Sequence, residues 1–137
     1  MAHQFLSFRS KNRPRSLLLS RDYHCRAVLS DFFDDCGYPL ACQSSFKDMV
    51  IRRDAVDAEL MILDDELGDM TPYEALKILR AKNEYLASAK AILLSGSTTR
   101  RIVERAQQAG FDAVIGKPIA PTLLLRTLKN LTLSLAA

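Results

Sequence analysis

The chain has 137 residues, 48% hydrophobic and 26% charged, which supports one buried core and excludes a disordered chain. No apolar run reaches the roughly 18 residues a membrane span needs, and the start lacks the apolar block of a secretory signal. The net charge of +3 is uneven: Arg9, Lys11, Arg13 and Arg15 put +4 into residues 1–16 and leave the remainder at −1, so a bulk basic surface for nucleic acid is not indicated.

Residues 1–15 read as a basic flexible leader, with Phe5, Leu6 and Phe8 available to dock on a surface. Residues 16–135 read as one domain, with no room for a second, so its output would be a binding surface. Ser16–Ser20 is a buried strand. Cys25, Val28, Leu29, Phe32, Phe33 and Cys36 follow at the spacing of an amphipathic helix, stopped by Gly37. Tyr38–Ser44 is a weaker strand, and Phe46–Val56 a second helix. Glu59–Leu63 is a third strand, ending at Asp64 and Asp65. Thr71 can cap a helix that has Pro72 at its first position and runs to about Lys82. Lys90–Leu94 is a strand and Thr98–Ala109 a helix, with Ile102, Val103 and Ala106 inward and Gly110 at its end. Asp112–Ile115 is a fifth strand. Pro121–Leu133 is the last helix, with Leu124, Leu128, Leu131 and Leu135 on one stripe.

Strand and helix alternate five times. Strands apolar on both faces, with helices between them, predict an α/β three-layer sandwich around a five-stranded parallel sheet. Ligands of such folds sit beyond the carboxyl ends of the strands. An acid, a hydroxyl and a lysine emerge there: Asp64 after the third strand, Ser95 after the fourth and Lys117 after the fifth. A carboxylate can accept a phosphoryl group, and a lysine and a hydroxyl can hold its oxygens. Gly96 leaves space for an approaching donor. No glycine-rich phosphate loop follows the first strand, which disfavours a small nucleotide-binding or enzyme domain of flavodoxin-like type.

Three segments, in order, resemble the receiver domain of two-component response regulators: Leu60-Met61-Ile62-Leu63-Asp64, Ala91-Ile92-Leu93-Leu94-Ser95-Gly96, and Ala109-Gly110 through Gly116-Lys117-Pro118. The resemblance covers about residues 16–133 and implies the (βα)5 flavodoxin-like fold. It makes Asp64 the phosphoacceptor position, Ser95 the switch hydroxyl and Lys117 the phosphate-binding lysine. It also implies a cis Lys117-Pro118 bond.

The sequence departs from the family in three places. The helix register puts Ser20 and Arg21 where two acids would hold Mg²⁺, with Asp22 one residue late. Mg²⁺ demands hard oxygen ligands, and Arg21 brings a positive charge instead. At most Asp64, the Glu66 backbone carbonyl and Asp22 could serve a degenerate site. Arg21 is either a solvated loop residue or a replacement for the metal, paired with Asp64. Gly68 and Pro72 exchange the family's usual proline and glycine, and Val114 stands at the aromatic switch position. Asp65 and Glu66 read as loop acids, and His24 as a surface residue near the pocket mouth. Cys25 and Cys36 belong to the core stripe and Cys42 to a strand; their odd number and spacing suit neither a disulfide framework nor a metal site.

The resulting expectation is a stand-alone, divergent, cytoplasmic receiver of a bacterial phosphorelay. It would act through protein contacts with little or no Mg²⁺-dependent phosphorylation. Its partners would be a sensor histidine kinase or phosphotransfer protein, a downstream signalling protein, or both. The surface of the fourth helix, fifth strand and last helix, bearing Arg100, Arg101, Arg105, Arg126 and Lys129, is the candidate partner or homodimer face. The alternative is a conventional receiver that takes a phosphoryl group on Asp64 from a histidine kinase, with Asp22 rescuing the metal site. Weak nucleic-acid contact through the leader is a third class.

Overall fold

The computed structural model describes residues 14–47 and 58–136, with side chains described to residue 131. Most of the leader, and the helix read over Phe46–Val56 from residue 48 on, lie outside the described residues.

The elements are β1 (Ser16–Leu19), α1 (Tyr23–Cys36), β2 (Leu40–Gln43), β3 (Leu60–Asp64), α2 (Pro72–Arg80), α3 (Glu84–Ser88), β4 (Lys90–Ser95), α4 (Arg100–Ala109), β5 (Ala113–Gly116) and α5 (Pro121–Ala136). The five strands form one parallel sheet in the order β2-β1-β3-β4-β5. Arg15 lies at its lower edge, where its carbonyl accepts from the N–H of Glu59 at 2.8 Å.

Alternation along the strands divides the core into two layers. Leu17, Leu19, Met61, Leu63, Ala91 and Leu93 face α2, α3 and α4 through Ala75, Leu76, Leu79, Leu86 and Ala106. Leu18, Leu60, Ile62, Ile92, Leu94 and Ile115 face α1 and α5 through Cys25, Leu29, Phe33, Leu124 and Leu128. Each leucine so buried contributes about 2 kcal/mol.

The helix starts follow their chemistry. Asp22 caps α1 by accepting from His24 N at 2.9 Å, and Thr71 caps α2 by accepting from Glu74 N at 3.1 Å. Gly37 and Gly110 close α1 and α4 at φ 74° and 104°, a left-handed conformation that costs a side-chain-bearing residue dearly. The Lys117-Pro118 bond is cis.

Two details differ from the sequence reading. Val28, placed on the core stripe of α1, is 41% exposed, because the inward line is the i, i+4, i+8 set Cys25, Leu29 and Phe33. The short helix α3 is not apparent from the sequence. Its periodicity is too brief to register, and it is fixed by the Asn83 cap and by Arg80, whose guanidinium donates to the carbonyls of Leu86, Ala87, Ala89 and Gly110.

Candidate functional site at the strand ends

Register brings the site together. Leu19 pairs with Leu63, so Ser20 and Asp64 leave the sheet side by side. Asp64 pairs with Leu94, and Ser95 with Gly116, so Ser95 and Lys117 emerge on the same edge. Three further backbone bonds carry the ladder past the last side chains: Ser20 N to Gln43 O at 3.1 Å, Asp65 N to Leu94 O at 2.9 Å, and Lys117 N to Ser95 O at 2.9 Å.

Asp64 is fully buried, and both of its oxygens are engaged. Its Oδ2 accepts from the Ser20 hydroxyl at 2.7 Å. Its Oδ1 accepts from the Glu66 N–H at 3.2 Å and pairs with the Lys117 ammonium. Ser20 is itself buried, accepts from Asp22 N at 3.2 Å, and has its carbonyl held by Arg26 Nη1 at 2.7 Å. Ser95 is turned onto its own loop. Its hydroxyl donates to Ser97 O at 2.7 Å and accepts from Ser97 N at 3.2 Å. The structure thus joins Asp64, Lys117 and Ser20 directly and leaves Ser95 on the adjoining rim.

Asp65, read from sequence as a loop acid, belongs to the site. Its Oδ1 accepts from Lys117 Nζ at 3.0 Å and its Oδ2 from Gly96 N at 2.9 Å. Burial pushes the Asp65 carboxyl upward, but the Gly96 N–H and the Lys117 ammonium outweigh it and hold the group below its ordinary range. Burial likewise works against the charge on Lys117, and the two carboxylates more than reverse it, holding the ammonium well above the usual lysine range. The signal in sequence was the adjacency of two acids on a strand end that faces one lysine. Cys25 also lies near this centre, and burial pushes its thiol up.

Arg21 does not pair with Asp64. It is exposed and lies over Gly68, where an added Cβ would come within 2.7 Å of Arg21 Nη1. With Asp22, Asp65, Glu66, Leu67 and Gly68 it lines a cleft of about 530 Å³ beside the site. The solvated reading of Arg21 therefore replaces that of a metal substitute.

An α/β sheet of this order, with a buried acid, a lysine and a hydroxyl at its carboxyl edge, defines a receiver-type signalling module. The sequence profile of the response regulator receiver domain matches residues 18–129, and the chain belongs to that family. It is 25% identical, over 97% of its length, to part of the "Sensory/regulatory protein RpfC" of Xanthomonas campestris pv. campestris; it spans about a fifth (19%) of that relative. Among solved structures, the chemotaxis response regulator CheY4 of Vibrio cholerae superposes with a TM-score of 0.77 at 19% identity, over 86% of this chain and 98% of that one. The Francisella response regulator 1452 receiver domain gives 0.76 at 18% identity, over 88% and 97%. At these identities the two structures establish the fold. No helix among the described residues is long and apolar enough to cross a membrane.

Receiver domains generally bind Mg²⁺ at an acidic pocket, and the donor set here does not fit that ion. Where the sequence register expects a pair of acids, the side chains are those of Ser20 and Arg21. Asp22 Oδ1 is spent on the cap of α1, and the two oxygens of Asp64 are taken by Ser20, Glu66 N and Lys117. Among the described residues, no group of three or more His, Cys, Asp or Glu side chains could hold a metal ion.

On the candidate partner face, Arg100 pairs with Glu104 at 2.9 Å and Arg105 lies 4.2 Å over the Tyr73 ring. Arg101, Arg126 and Lys129 are exposed, and Leu123 on α5 is half-exposed.

Proposed function

We propose that this receiver domain works by presenting a protein-binding surface within a two-component or phosphorelay pathway, with weak or absent Mg²⁺-dependent phosphorylation of Asp64. The observation that carries this reading is the closed bonding of Asp64. Phosphoryl capture requires one carboxylate oxygen to attack phosphorus while the donor's P–O or P–N bond breaks, with cations neutralising the charge that develops. Here Ser20 donates to one oxygen, Lys117 and a backbone N–H hold the other, and Arg21 stands at an acid position. Lys117 supplies positive charge, but the chain's own acids already use it.

The surface of α4, β5 and α5, with Arg101, Arg126 and Lys129 outward, is the face offered to a partner: a sensor histidine kinase, a phosphotransfer protein, a downstream signalling protein or a second copy. The likeness to part of a sensory/regulatory protein supports a place in such a pathway.

The Lys117–Asp64 pair also suits the second reading, a conventional acceptor served by a histidine kinase. Incubation with Mg²⁺ and acetyl phosphate, followed by intact mass, separates the two. The expected outcome is no gain of mass. Gain of one phosphoryl group that disappears in Asp64→Asn overturns the proposal.

A further inference from the structure

Lys117 Nζ and the Gly96 N–H converge on one point beyond the ends of β4 and β5, and the carboxylate of Asp65 fills it. The two oxygens divide the donors between them, Oδ2 to Gly96 N at 2.9 Å and Oδ1 to Lys117 at 3.0 Å. An ammonium and a backbone N–H, aimed at the space beside a buried acceptor carboxylate, are the donors a phosphoryl group on that carboxylate would need. The hydroxyl on the same rim, Ser95, is satisfied by Ser97.

We propose that Asp65 is the resident anion of this pocket: it occupies the donors that would bind a phosphoryl group, and an outside phosphate must displace it. The inference deepens the reading above, and rests on it only in taking this edge as the phosphoryl site. Asp65 competes well because it is already in place. Its own N–H is tied to Leu94 O at 2.9 Å, which fixes the backbone from which the carboxylate reaches over. Little ordering entropy is left for the contact to offset, whereas a free phosphate loses its translational freedom on binding. Asp65 also adds a second negative charge beside Asp64, which repels an arriving anion.

The test uses the full chain, ¹⁵N-labelled, as wild type, Asp65→Ala and Asp65→Asn. Inorganic phosphate is titrated while the amide resonances of Gly96, Ser97 and Lys117 are followed. Asp65→Ala is expected to shift the Gly96 amide and to lower the half-saturating phosphate concentration at Gly96 by about tenfold or more. Asp65→Asn keeps the volume and removes the charge, so it is expected to fall between the two; if the alanine variant fails to fold, it carries the same comparison. An equal phosphate response in wild type and variants, including none in any of them, overturns the proposal. Phosphorylation of the wild type by acetyl phosphate would overturn the preceding reading while leaving this comparison intact, so the two failures are distinguishable.

Discussion

At the scale of single residues, the site is an exercise in shared charge. One ammonium, Lys117, serves two carboxylates, and one hydroxyl, Ser20, closes the buried one. The sign of the resulting pH dependence follows from the directions of the shifts. Asp65 has a lower pKa folded than unfolded, so its contribution to stability is present above its ordinary value of 3.8. It is lost as pH falls through the folded value. Lys117 is raised, so its contribution is complete below the ordinary 10.5 and is lost only as pH climbs through the folded value. Asp65→Asn is therefore expected to be less stable than wild type in urea unfolding at about pH 7, and to converge with it near pH 2. A constant difference across that range would show that Asp65 acts through packing alone.

At the scale of elements, the helices are held by local chemistry that a sequence displays unevenly. The caps Asp22, Thr71 and Thr99 precede their helices directly, and the glycines after α1 and α4 mark the stops. Arg80 works differently. From the end of α2 it donates to three carbonyls around α3 and to Gly110 O after α4, so one side chain fastens three elements. Arg80→Met keeps much of the stem and removes the donors. It is expected to cost about 2–3 kcal/mol by urea denaturation and to raise hydrogen exchange selectively across Glu84–Ser88. Uniform exchange across the chain would assign the loss to general destabilisation. At the first turn of α2, Tyr73 meets Phe111 edge-on at 6.1 Å with Arg105 over its ring, which joins α2 to α4 near the candidate partner face.

At the scale of the whole molecule, the sheet order decides what the site is. With β1 between β2 and β3, and β4 between β3 and β5, the ends of β1, β3 and β5 converge on Asp64. Ser20 bonds Asp64 and Arg21 shares a cleft with Asp65, so an acidic pair at residues 20 and 21 would stand close to both carboxylates. Rebuilding that pair in Ser20→Asp/Arg21→Asp is expected to raise Mg²⁺ affinity by about tenfold or more, read by isothermal titration calorimetry. Unchanged affinity would mean that the side chains at these two positions do not govern Mg²⁺ binding.

Much of the fold is legible in the amino-acid sequence. The alternation of apolar runs with 3.6-residue periodicity fixed the fold class, because strands apolar on both faces leave few arrangements other than a covered parallel sheet. Asp64, Ser95 and Lys117 could be named because each follows a strand, and strand ends meet on one edge. Side-chain pairing across that edge is set by distances between strands remote in sequence. Only the tertiary structure decided that Arg21 turns away over Gly68 while Ser20 takes the oxygen of Asp64, and that Asp65 crosses to Gly96 and Lys117. A linear sequence states which charges are present; which of them neutralise one another depends on geometry at the level of a few ångströms.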